Sequence, residues 1–117
     1  MFLTKEKLKF FERDGFLVLE DFVSIEDCES LSKRAIEIVE KFDPSESVSI
    51  FTTNEQTRNS DSYFLNSGDK IRCFFEEEAF NGKGELKKTK MLSINKIGHA
   101  LHDLDPVFEK FSRLFII

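Results

Sequence analysis

The sequence predicts a small α+β fold, and three observations carry that reading. An apolar stripe of Ile25, Cys28, Leu31, Ala35, Ile38, Val39 and Phe42 recurs at helical period, with Glu26, Glu29, Lys33, Arg34, Glu37 and Glu40 on the other faces. Short apolar runs bounded by turn residues, Phe16-Leu17-Val18-Leu19 and Ile71-Arg72-Cys73-Phe74-Phe75-Glu76, have the length and composition of strands. A chain of 117 residues fits one hydrophobic core, so a second domain is set aside.

In chain order, Thr4 can cap a first helix to about Arg13, with Leu8, Phe10 and Phe11 spaced along one face. Asp14-Gly15 breaks it, and Phe16 to Leu19 then reads as a strand buried on both faces. Ser24, with Asp27 three residues on, opens the long second helix, and Pro44 closes it by denying the preceding residue helical backbone. Residues 45–62 turn to Ser, Thr, Asn and Glu, interrupted by Val48, Ile50 and Phe51, which predicts a flexible polar loop with room for one edge strand.

Tyr63-Phe64-Leu65 and Ile71 to Glu76 flank the turn Asn66-Ser67-Gly68-Asp69-Lys70, a pattern that predicts a β-hairpin. Asn81-Gly82-Lys83-Gly84 is a second turn, and Ser93 to Gly98 is a further extended element. Asp105-Pro106 is a helix start, Asp as cap and Pro at the first helical position, with Val107, Phe108 and Phe111 as its apolar face. Four bulky apolar residues, Leu114-Phe115-Ile116-Ile117, end the chain and call for burial against something.

Composition excludes several functions. A net charge of −5 disfavours nucleic acid, whose binders carry a basic face. No apolar run approaches the roughly 18–20 residues of a membrane helix. The start, Met1-Phe2-Leu3-Thr4-Lys5-Glu6-Lys7, lacks the layout of a secretory signal, so a cytoplasmic location is expected. Cys28 and Cys73 accordingly read as free thiols rather than a disulfide.

The candidate chemistry is sparse. His99 and His102 are three apart and would share a helix face near Asp103 and Asp105, which makes a metal site conceivable, although a junction of polar residues capping a helix accounts for them. Lys87, Lys88 and Lys90 form the only basic cluster and read as a solvated loop, with anion binding as the alternative. Glu76-Glu77-Glu78 lacks the glycine of a calcium loop, and Gly68-Asp69-Lys70 lacks the glycine spacing of a phosphate loop. Fourteen Phe with no Trp supply most of the apolar surface.

Three blocks together resemble the phytanoyl-CoA dioxygenase family, and within it the domain-containing protein 1 subgroup: Phe10 to Phe22 around Asp14-Gly15-Phe16, Tyr63 to Glu76, and Ser93-Ile94-Asn95-Lys96-Ile97-Gly98-His99-Ala100-Leu101-His102 through Phe108. The resemblance implies amino-terminal helices and first strands of a double-stranded β-helix, a jelly-roll or cupin-like oxygenase that is incomplete here. It makes residues 1–117 the amino-terminal portion of a single oxygenase domain.

By the same resemblance the intact protein uses Fe(II) and 2-oxoglutarate on a small-molecule substrate, and Lys96 contacts 2-oxoglutarate; on the residues alone it is a surface lysine. Family members hold iron with a His-x-Asp pair and a distant His. His99 is followed by Ala100-Leu101 and His102 by Asp103-Leu104, so this chain is expected to hold no iron, to contain no catalytic or metal-ligating residue and to be inactive alone. The competing reading is a non-catalytic binding or regulatory module. In either case uncovered Phe surface predicts self-association.

Overall fold

The computed structural model describes residues 3–45 and 47–114. The first helix, α1 (Lys5–Asp14), starts where Thr4 Oγ1 accepts from the Lys7 N–H at 3.2 Å. It stops at Gly15, whose φ of 77° lets its N–H turn back to the Phe11 carbonyl. None of its residues is buried. The radius of gyration, 17.8 Å, exceeds the about 13 Å of a compact chain this long, and the long axis reaches 55 Å.

Residues 16–19 correct the first strand expectation. They run extended but pair with no described strand, and Phe16 and Val18 are exposed while Leu17 and Leu19 are half-buried. Apolar composition sets the capacity to form a strand, whereas pairing needs a neighbour, and none of the described residues supplies one.

Helix α2 (Ile25–Lys41) begins as predicted, with Ser24 Oγ accepting from the Asp27 N–H. Its stripe is buried only toward the carboxyl end: Val39 is enclosed and Ile38 half-buried, but Ile25 and Cys28 face outward. The helix stops at Lys41, ahead of Pro44, and Lys90 Nζ donates to the Glu40 and Phe42 carbonyls at 2.8 and 2.7 Å. Lys90 is therefore a tether, not a solvated loop residue, and it suits the negative end of the helix dipole.

Segment 45–62 contains a short helix, α3 (Glu55–Ser60), capped by Asn54. Ahead of it the chain meets the sheet, because Phe75 N–H donates to the Ser49 carbonyl and Phe51 N–H to the Phe75 carbonyl, a parallel bridge centred on Ile50. The predicted hairpin is not formed. Ser62–Leu65 is a helical turn, α4, capped by Asp61, whose carboxylate accepts from the Phe64 N–H and from Ser49 Oγ. The cap outweighs the strand preference of Tyr63 and Phe64.

The sheet instead joins β1 (Ile71–Phe75) to β2 (Ile94–His99), antiparallel, with Ile71 opposite His99 and Phe74 opposite Lys96. The intervening excursion turns at Asn81–Gly84 as predicted, with Gly84 at φ 78°, and returns through a short 3-10 turn at Lys90–Leu92. Phe74 and Phe75 are fully buried. Being adjacent on a strand they face opposite ways, so the core has two sides: Phe74 meets Tyr63, Phe64 and His99, and Phe75 meets Phe42 and Phe80.

After β2 come α5 (Leu101–Leu104) and α6 (Pro106–Arg113). Asp105 caps α6 as predicted, accepting from the Val107 and Phe108 N–H groups through Oδ1. Its Oδ2 takes the Arg34 Nε–H at 2.6 Å, locking α6 to α2. Val107, Phe108 and Phe111 are half-buried. Leu114 is exposed, and Phe115 to Ile117 lie outside the described residues. No described helix is long and apolar enough to cross a membrane.

Burial opposes ionisation of Asp105, but the Arg34 hydrogen bond and the two backbone donors outweigh it and hold the carboxyl below the usual carboxylate range. A lowered folded-state pKa contributes stability that is full above the unfolded value, near 4, and is lost as pH falls through the folded value. Asp105→Ala is expected to lower the unfolding free energy by about 1–3 kcal/mol. Asp105→Asn should flatten the loss of melting temperature between about pH 5 and 3; an unchanged pH profile in urea or thermal melts would remove Asp105 from this role.

Candidate functional site

The chemistry-bearing residues gather on the Phe74 side of the sheet. Lys96 is delivered there by β2, opposite Phe74, and is half-buried. Its Nζ lies 4.6 Å from the centre of the Phe51 ring, a cation–π contact. Phe51 tilts against Phe64 at 6.3 Å between centroids, and Phe64 stands edge-on to Phe74 and His99 at 5.7 and 5.5 Å. No described carboxylate makes an ion pair with Lys96.

His99 ends β2 behind this cluster. Its Nδ1 is 2.7 Å from Ser67 Oγ, and Ser67, wholly buried, also donates to the Phe64 carbonyl at 2.5 Å. A hydroxyl has one proton. With that proton on the Phe64 carbonyl, Ser67 accepts from the His99 Nδ1–H. On the same side Arg72 stacks on Tyr63 at 4.4 Å and donates through Nη1 to the Tyr63 carbonyl, so its guanidinium also lacks a carboxylate partner among the described residues.

The remaining candidates separate. His102 lies on α5, 3.4 Å from Asp103, so the two histidines share no helix face. Among the described residues no three His, Cys, Asp or Glu side chains converge as metal ligands would. Gly68 to Lys70 joins α4 to β1 rather than closing a hairpin. Cys28 is exposed and Cys73 buried, both free, and burial pushes the Cys73 thiol up.

Glu76, Glu77 and Glu78 line one open groove of about 740 Å³ together with Lys87 and Lys88, a mixed charge that selects neither ion. A groove of about 760 Å³ opens between Lys41, Tyr63 and Arg72, and Lys96 is not among its walls. The cluster around Lys96 is thus the better candidate, because charge rather than volume distinguishes it. Reading the residues alone missed Phe51 and Ser67, each embedded in a polar stretch. The only available signal for Phe51 was its apolar character among hydroxyl and amide residues.

The chain belongs to the phytanoyl-CoA dioxygenase family, whose model matches residues 11–116. It is similar to a phytanoyl-CoA dioxygenase of Arabidopsis thaliana, 49% identical over 110 residues, which is 94% of this chain and 38% of that protein. Against phytanoyl-CoA dioxygenase 1 of Oryza sativa identity is 47% over 110 residues, again 94% and 38% of the two chains. Against phytanoyl-CoA dioxygenase domain-containing protein 1 of Bos taurus it is 48% over 111 residues, 91% of this chain and 38% of the relative. The chain therefore spans about two-fifths of the length of these relatives.

Ser67→Ala leaves the His99 Nδ1–H without its acceptor and is expected to cost about 1–2 kcal/mol in a denaturation curve.

Proposed function

We propose that this chain is the amino-terminal portion of a single oxygenase domain built on a double-stranded β-helix. In that reading the intact protein is a non-haem Fe(II)- and 2-oxoglutarate-dependent dioxygenase that hydroxylates a small organic substrate in the cytoplasm. One observation carries the part played by this chain: the ammonium of Lys96, a half-buried residue, is held on a ring face with no described carboxylate to neutralise it. An unneutralised cation at the motif that carries the family resemblance suits a dianionic co-substrate, since hydrogen bonds to charged groups are the strong ones.

The described residues fit 2-oxoglutarate through Lys96 but do not fit iron, because they bring no three metal ligands together. No step of the iron chemistry is assigned to them. The second reading is a non-catalytic binding or regulatory module. Continuation of the coding sequence in frame into a His-x-Asp pair and a later His separates the two.

The purified chain, supplied with Fe(II), ascorbate and 2-oxoglutarate, is expected to release no succinate. Joined in frame to the remaining length of the Arabidopsis relative it should turn over 2-oxoglutarate, and Lys96→Ala in that protein should raise the KM for 2-oxoglutarate about 10-fold or more. Turnover by the chain alone, or an unchanged KM, contradicts the assignment.

Self-association belongs to the same proposal, since Phe16, Val18 and Ile25 are 64%, 67% and 73% exposed. The isolated chain is expected to bind an apolar dye and, on size exclusion with light scattering, to show a mass above the 13.6 kDa of the monomer. A dye-silent monomeric peak would remove this part.

A further inference from the structure

Lys96 leaves the sheet along a defined path. A methyl group built on Gly98 would touch Lys96 Cε at 3.5 Å, so the lysine stem runs beside the bare Gly98 backbone and carries Nζ to the Phe51 ring. That ring is itself fixed at two points. The Phe51 N–H donates to the Phe75 carbonyl at 2.9 Å, which ties its backbone to the free edge of β1. Its ring rests on Phe64, which is held by the fully buried Phe74 and by His99. The position of the ring face is therefore set by the sheet and the aromatic cluster, independently of Lys96.

We propose that Phe51 is a positioning residue for Lys96, a fixed aromatic face that holds the ammonium in place while leaving its charge available to an anionic co-substrate. The chemistry decides between this face and the commoner partner. A carboxylate would hold an ammonium equally well but cancel its charge, whereas the ring quadrupole attracts the cation without supplying a proton acceptor or a full negative charge. A flexible lysine loses rotamer freedom when it grips a ligand. Holding it beforehand on Phe51 removes part of that loss. What the ammonium is held for rests on the function proposed above; that Phe51 holds it does not.

Both parts are tested by nuclear magnetic resonance, the hold on the ammonium first, on the purified chain. The Lys96 ε-methylene protons should resonate upfield of those of the exposed Lys87 and Lys88, through the ring current of Phe51. Phe51→Leu should remove that shift and Phe51→Tyr preserve it, with the β1 and β2 amide signals unchanged as the control for folding. Titration with 2-oxoglutarate of the chain joined in frame to the remaining length of the Arabidopsis relative, followed at the same protons, should show an affinity about 3- to 10-fold weaker in Phe51→Leu and restored in Phe51→Tyr.

A Lys96 methylene without upfield shift in the parent chain would overturn the positioning role outright, even if Phe51→Leu does not fold. A shift lost in Phe51→Leu with the affinity unchanged would also overturn it. If the shift is present but 2-oxoglutarate leaves the Lys96 signals of the joined protein unmoved, the co-substrate reading falls, and Phe51 retains only its hold on the ammonium.

Discussion

Two neighbouring phenylalanines on one strand govern this structure. Phe74 and Phe75 alternate across β1, so burying both rings obliges the chain to cover the sheet on each face. One face is closed by Tyr63, Phe64 and His99, the other by Phe42 from the end of α2 and Phe80 from the excursion after β1. Elements far apart in sequence are thereby drawn to one five-residue strand. Lys96, opposite Phe74, inherits its surroundings from that requirement.

The site follows from the side on which Phe74 lies. Its ring orders Phe64 and His99, Ser67 pins His99, and Phe64 supports Phe51. A surface lysine that elsewhere would sample many rotamers stands here against a ring whose own position is already decided. Placing a single cation thus draws on most of the small core.

What could be read from the sequence was what local rules decide. Thr4, Ser24 and Asp105 cap helices by accepting from backbone donors two or three residues away, and no tertiary contact is needed to see it. Strand pairing was read less well. Phe16 to Leu19 had the composition of a strand and found no partner, while Tyr63 to Leu65 had it and became a helical turn under the Asp61 cap. The β1–β2 pairing joins residues from Phe75 and Ile94 out to Ile71 and His99, beyond the reach of any turn motif. At the site, Lys96 was legible through a motif, but Phe51 and Ser67 acquire their meaning only from what folds against them.

The tether from Lys90 to the end of α2 changes how the excursion between the strands moves. At its base the Glu76 N–H bonds the Ser93 carbonyl, and three residues before Ser93, on the return limb, Lys90 grips two helix carbonyls. A loop fixed only at the sheet would swing as a flap. Held also by the helix, the return limb of the excursion is joined through one side chain to α2 as well as to β2, which it enters directly.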